Sequence, residues 1–330
     1  NGKKIPEVST STFATCMSKT EQERKIISNT LSVNSVKAMF SIITGECGKV
    51  LSTYGENYFH SCITDPPYGM GMDHWDHSVP DVDIWREVYR TLRPGAFCLA
   101  FCSPELYHRL ACNVEDAGFV IKDQIMWMTT TKMAKYNRLK PAHEPIVVGQ
   151  KPYEGSLQKN FEEWGCGLID VENTRVPWEK EPPKGWVAEG HKRRTFGRDG
   201  KTTGTQEEYG TKDADPRGRY PMNIIGEVET AHQKYFYAPR ATRKEKGKYN
   251  DHPTVKPISL MEYLIKIYSP VDSMVLDPFC GSGTTGVAAL RQNRKFVGID
   301  LSEHYTDIAR ERCDSEEVSQ GDSNPLLDAL

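Results

Sequence analysis

This chain of 330 residues contains no run of eighteen apolar residues, no C-x-x-C pair among its nine cysteines and no internal repeat. The first absence argues against a membrane-spanning helix. The N-terminus is polar and rich in Ser and Thr instead of basic and then apolar, so no signal peptide is legible and a soluble, intracellular protein is expected. Cys16, Cys47, Cys62, Cys98, Cys102, Cys112, Cys166, Cys280 and Cys313 are scattered, several inside apolar runs where a reduced thiol acts as a small hydrophobe; a reducing compartment suits them. His74 and His77 in Asp73-His74-Trp75-Asp76-His77 find no second cluster to complete a four-ligand set, so no metal is expected.

Excess positive charge is also missing, since the formal net charge is -3. It is unevenly distributed. Between Arg175 and Lys248, 17 Lys and Arg face 11 Asp and Glu, leaving about -9 for the rest. Such asymmetry is the electrostatic sign of a segment facing phosphates, or of a solvated charged surface.

A length of 330 residues allows one large α/β domain with an inserted or appended module. Ser18 with Glu21 forms a capping-box pattern for a short helix. Strands are predicted at 38–43, 60–64, 96–101, 120–128 and 145–149, with helices over 47–54, around Trp85, Val88, Tyr89 and Leu92, and around Leu106, Leu110, Val114 and Ala117. This alternation implies a doubly wound sheet. From about 151 to 251 periodicity fails, and aromatic residues are interleaved with basic ones. Order returns as a helix over 258–268, a strand over 274–276, a helix over 284–291, a strand over 296–299 and a helix over 305–312, with a frayed acidic tail after Asp314.

The first chemical motif, Asp65-Pro66-Pro67-Tyr68, sits at a strand's C-terminal end. An aromatic amino nitrogen is a poor nucleophile because its lone pair is delocalised into the ring. Acceptors that bind its N–H bonds favour a pyramidal nitrogen, and the Asp65 carboxylate and Pro66 carbonyl are pure acceptors. Pro66 and Pro67 restrict the backbone so that the two converge. Tyr68 offers a ring face for a base, an interaction worth about 1–3 kcal/mol. An ordinary Pro-rich turn is the plainer alternative.

The second is Leu276-Asp277-Pro278-Phe279-Cys280-Gly281-Ser282-Gly283-Thr284-Thr285-Gly286, followed by Gly298-Ile299-Asp300. A strand, a Gly-rich turn and a helix let backbone approach a nucleoside, and an acid after the next strand can bind ribose hydroxyls. The same pattern fits a nicotinamide dinucleotide enzyme. Against that stand the acid before the loop, which would repel pyrophosphate, and the short stretch after Asp300.

Asp65 to Tyr68 early, a long variable region, His252-Pro253-Thr254-Val255-Lys256-Pro257 and then the Asp277 motif closely resemble the β-class amino-methyltransferases of bacteria and their phages, over roughly residues 38 to 313. The resemblance implies an α/β, permuted Rossmann-like methyltransferase sheet with helices on both faces. Its expected parts are an N-terminal extension (1–37), a catalytic half (38–150), an inserted target-recognition region (151–251), a cofactor-binding half (252–313) and a tail (314–330).

It further implies S-adenosylmethionine as cofactor, with Asp65, Pro66, Pro67 and Tyr68 gripping a flipped base. Asp277, Phe279, Gly281, Gly283 and Thr284 would shape the methionine side of the pocket and Asp300 would hold the ribose. His252 and Thr254 would lie at the methionine end, where Lys256 could pair with the carboxylate; Glu46 would stand at the adenine side. DNA would be met by Lys192, Arg193, Arg194, Arg198, Arg217 and Arg219. Asp at the head of the catalytic motif favours adenine N6 as target, with cytosine N4 the nearest alternative. An inactive DNA-binding protein and a nicotinamide oxidoreductase are the readings from other classes. A second copy of the chain and a cognate restriction endonuclease are the further partners the resemblance suggests.

Overall fold

Alternate residues of the central strands leave the sheet on opposite faces, and both sets are apolar. Ile63, Leu99 and Val275 enter one core with Leu260, Leu264 and Val287, whereas Cys62, Cys98 and Leu276 enter another with Trp85, Val88 and Leu110. Burial on both faces explains why these strands read as continuous apolar runs. Trp85 is fully buried and donates from Nε1 to the Pro80 carbonyl at 3.2 Å. Covering a side chain of that size contributes about 1.5–3 kcal/mol or more.

The computed structural model describes residues 39–71, 76–128, 141–178, 181, 194–196, 202–205, 215–227, 234–236, 250–252 and 254–322. In chain order the elements are β1 (Phe40–Thr44), α1 (Cys47–Leu51), β2 (Phe59–Thr64), α2 (Val82–Thr91), β3 (Leu92–Phe101), α3 (Tyr107–Asp116), β4 (Val120–Met128) and β5 (His143–Gln150). Next come α4 (Leu157–Trp164), β6 (Arg194–Phe196), β7 (Thr202–Thr205), β8 (Ile224–Glu227) and β9 (Lys234–Phe236). The last part holds α5 (Ile258–Tyr268), β10 (Met274–Asp277), α6 (Thr284–Arg291), β11 (Lys295–Asp300) and α7 (Glu303–Asp322). The expected helix near Ser18 lies outside the described residues.

The main sheet runs β1-β11-β10-β2-β3-β5-β4-β8-β9. From β1 to β3 neighbours are parallel; β5 is antiparallel to both β3 and β4. The last two long strands of the chain, β10 and β11, therefore lie between β1 and β2. This is the permuted α/β order expected from the sequence, with helices flanking the sheet.

Two expectations change. The stretch after Lys151 contains α4, whose apolar residues Leu157, Phe161 and Trp164 are few and half-buried but whose ends are marked. Ser156 accepts from the Lys159 N–H at 3.2 Å, and Gly165 closes the helix at φ 68°. In the same stretch β8 joins the main sheet beside β4. At the other end α7 continues past Asp314 to Asp322 instead of fraying there.

Candidate active site

Four parallel strands deliver their carboxyl ends to one edge: β1 ends at Thr44, β2 runs into Asp65, β10 ends in Asp277 and β11 in Asp300. Between β10 and β2 the strand order departs in opposite directions, which is the place where open α/β sheets bind ligands. A cavity of about 720 Å³ opens there, lined among others by Asp65, Tyr68, Lys256, Phe279, Gly281 and Asp300. Ligand pockets span about 300–1,000 Å³.

The four residues after β2 form one wall. The Tyr68 hydroxyl donates to Asp65 Oδ1 at 2.7 Å and lies 3.3 Å from Glu144 Oε2. Lys256 Nζ donates to Asp65 Oδ2, is 3.7 Å from Glu144 Oε2, and stands over the rings of Tyr68 and Phe101 at 5.3 and 5.1 Å. Burial pushes the Asp65 carboxyl up, with Lys256 and the Tyr68 hydroxyl pulling it back. Burial alone would lower Lys256; the Asp65 and Glu144 carboxylates outweigh it and hold the ammonium above its ordinary value.

The glycine turn after β10 forms the facing wall. Asp277 is buried, and its carboxylate accepts from Thr64 and Thr285 hydroxyls at 2.6 Å each and from the Phe279 N–H at 3.1 Å. Asp300 accepts from the Gly281 and Ser302 N–H groups, both at 2.9 Å, which ties the turn to the end of β11. Gly281 and Gly283 take left-handed φ of 49° and 81°. A Cβ on Gly281 would stand 2.8 Å from His252 Nε2, so glycine lets that ring close over the turn. The His252 ring packs edge-on against Tyr305 at 4.5 Å, and Thr254 and Thr284 line the same wall.

Four predicted residues have partners other than those expected. Lys256 faces Asp65 and Glu144. Glu46 caps α1, accepting from the Gly48 and Lys49 N–H groups at 2.8 and 2.9 Å, though it still borders the cavity. Arg217 is paired with Glu172 at 2.6 Å and Asp215 at 2.7 Å, while Arg219 stands over the Trp178 ring at 5.4 Å. Lys192, Arg193, Arg198 and His74 lie outside the described residues; Arg194 begins β6. Among the described residues no three His, Cys, Asp or Glu side chains gather as a metal set, and no helix is long and apolar enough to cross a membrane.

Sequence reasoning missed Glu144 and Asp76. Glu144 is an acid at the start of the apolar strand β5, a discord that was visible. Asp76 is buried and accepts from the Gly69 and Met70 N–H groups at 2.6 and 3.1 Å, closing the backbone that follows Tyr68. Nothing in its polar surroundings signalled that.

Among the described residues the cavity is lined by Glu46, Asp65, Asp76, Asp277 and Asp300 against a single lysine, Lys256. Such a wall disfavours a pyrophosphate and suits a cationic ligand with hydroxyl groups to donate.

Residues 59–311 match the DNA methylase family N6_N4_Mtase. The chain is similar to the Type II methyltransferase M.HpaI of Haemophilus parainfluenzae, 26% identical over 285 residues, covering 83% of this chain and 74% of that protein. It is 24% identical over 325 residues to the Type II methyltransferase M.HindIII of Haemophilus influenzae, covering 78% and 89%. Among solved structures, the cytosine-N4-specific PvuII DNA methyltransferase superposes with a TM-score of 0.51 at 16% identity, covering 83% of this chain and 86% of that one, a likeness of fold.

Proposed function

The chain belongs to the N6_N4_Mtase family of DNA methylases, and we propose that it moves a methyl group from S-adenosylmethionine to adenine N6 of a base turned out of the double helix. The observation that carries this reading is one cavity with two walls, the Asp65–Tyr68 turn on one side and the Asp277–Ser282 turn on the other.

The residues present fit the cofactor. Its sulfonium is cationic and it has no phosphate, which agrees with an acid-lined cavity, and the turn bordering that cavity at Gly281 and Ser282 presents backbone to a nucleoside. Asp300 and Glu46 retain acceptor sites for hydroxyl or amino groups, since each carboxylate oxygen accepts more than one bond. Bound there, the cofactor supplies an electrophilic methyl group.

The protein's part is to present the nucleophile. Asp65 and the Pro66 carbonyl accept the two N–H bonds of the amino group, directing its lone pair toward the facing wall. Tyr68 stacks on the base and offsets part of the few kcal/mol needed to unstack it. The amino nitrogen becomes acidic as the new N–C bond forms, and its proton leaves to an acceptor or water, so no strong base and no covalent enzyme intermediate are required. Residues 151–251 serve as the target-recognition region, and the basic excess between Arg175 and Lys248 supplies the phosphate contacts.

Purified wild-type and Asp65→Ala protein are incubated with methyl-labelled S-adenosylmethionine and unmodified DNA, and nucleosides are read by mass spectrometry. N6-methyladenine from the wild type alone is the expected result. N4-methylcytosine would keep the mechanism and change the base; no labelled base from the wild type would overturn the reading.

A further inference from the structure

Asp65, Glu144 and Lys256 come from three distant parts of the chain and meet around the Tyr68 hydroxyl. Lys256 is buried, with the Tyr68 and Phe101 rings beside its ammonium. An ammonium so placed is tolerated only if carboxylates compensate it, and here two do. We infer that Lys256 and Glu144 are a positioning pair that sets the ionisation and direction of Asp65 for methyl transfer. This rests on the reading of Asp65 as acceptor for the target amino group.

Asp65 must be ionised to accept both from the protein and from the base. Among the described residues the groups around it are Tyr68 in its own turn, Cys102 after β3, Glu144 on β5, Lys256 before α5 and Asp277 on β10. Of these, Lys256 alone is a cation. Tyr68 and Cys102 are neutral, and the Tyr68 hydroxyl assists Asp65 by donating to it; the carboxylates of Glu144 and Asp277 are the acids whose negative charge drives a proton onto Asp65. With Tyr68 on Oδ1 and Lys256 on Oδ2, each oxygen is held in place and keeps a second acceptor site.

Glu144 acts on the same group with opposite sign. It anchors the ammonium and the Tyr68 hydroxyl, yet its charge opposes ionisation of Asp65. The two partners therefore leave different signatures on a pH profile. A charge within about 4–6 Å moves a carboxyl by about 1–3 units, upward for a like charge and downward for an opposite one.

The test is the single-turnover methylation rate against pH for wild type, Lys256→Met, Lys256→Arg and Glu144→Gln, with S-adenosylmethionine affinity and thermal melting measured on each. Expected are an acid limb raised by about one unit or more in Lys256→Met, restored toward wild type in Lys256→Arg, and lowered in Glu144→Gln, with cofactor affinity little changed. Should Lys256→Met fail to fold, the downward shift in Glu144→Gln decides. Limbs that stay in place while the variants lose rate equally at every pH, or lose cofactor affinity, would overturn the inference and return Lys256 to the cofactor. A wild type that transfers no methyl group fails earlier, and overturns the methyltransferase reading itself.

Discussion

Thr64 donates a 2.6 Å hydrogen bond to Asp277, 213 residues further along the chain. It crosses the seam between β2 and β10, and each partner stands at the end of its strand. Asp65 follows the first directly; the glycine turn follows the second. The bond therefore fixes the two walls of the cavity relative to each other.

Asp277 makes that seam sensitive to pH. Burial raises its carboxyl to about 6 in the folded protein, above the ordinary value of about 3.9. A carboxyl raised by folding favours the folded state when protonated. Its contribution is fully present below about pH 4 and is lost as pH rises through about 6. Two units correspond to roughly 3 kcal/mol. Urea midpoints between about pH 4 and 7 should show this decline in the wild type and lack it in Asp277→Asn; equal slopes would remove Asp277 as its source.

Gly283→Ala should destabilise the fold by about 1–3 kcal/mol. The position has φ 81°, and a new Cβ would lie 2.7 Å from Ala309 Cβ and 2.9 Å from Ala309 Cα, on a helix that cannot give way locally. A thermal melt checks it. An unchanged melting temperature would mean that α7 shifts freely.

Lys151 is a structural pin remote from the cavity. Its buried ammonium meets the carbonyls of Tyr89 and Leu92 at 2.8 and 2.7 Å and Asn57 Oδ1 at 3.0 Å, tying the exit of β5 to the end of α2. Lys151→Met leaves those acceptors buried without a donor and should cost about 3 kcal/mol or more. The methylation rate per folded molecule should stay near wild type. A large stability loss is the finding to look for in denaturant titration; a loss of rate without it would contradict the assignment.

Tyr68 separates stacking from hydrogen bonding. Tyr68→Ala should weaken productive DNA binding by about 5- to 150-fold, the equivalent of about 1–3 kcal/mol. Tyr68→Phe keeps the ring and loses the bonds to Asp65 and Glu144, so KM should hold while kcat falls. Steady-state kinetics on one DNA substrate distinguishes the two; matching losses in both variants would assign the whole effect to the hydroxyl.

Much of this protein was legible along the chain. Apolar stretches located β1, β2, β3, β4, β5, β10 and β11, and they are unbroken where a strand is covered on both faces, as in β3 and β5, but mixed with polar residues in the partly exposed β1 and β4. The α5 and α6 boundaries agree with the sequence reading, since both helices carry enough apolar residues to mark their length. The α4 helix escaped because its apolar residues, Leu157, Phe161 and Trp164, span only two turns and are half-buried, while its buried residue is Asn160, which donates to the Pro94 and Cys166 carbonyls.

The sequence by itself determined the local chemistry: an acid and two prolines at a strand end, a glycine turn before a helix, and an acid after the next strand. Each is a matter of neighbours, and neighbours are written in order. Only the tertiary structure decided which charges meet. Lys256 faces Asp65, 191 residues away, and Glu144 joins them, because β5 turns antiparallel to β3 and returns its first residues to the edge where β2 ends. The charge state of a buried group depends on such distant partners and on the water excluded around it, and neither has a period along the chain.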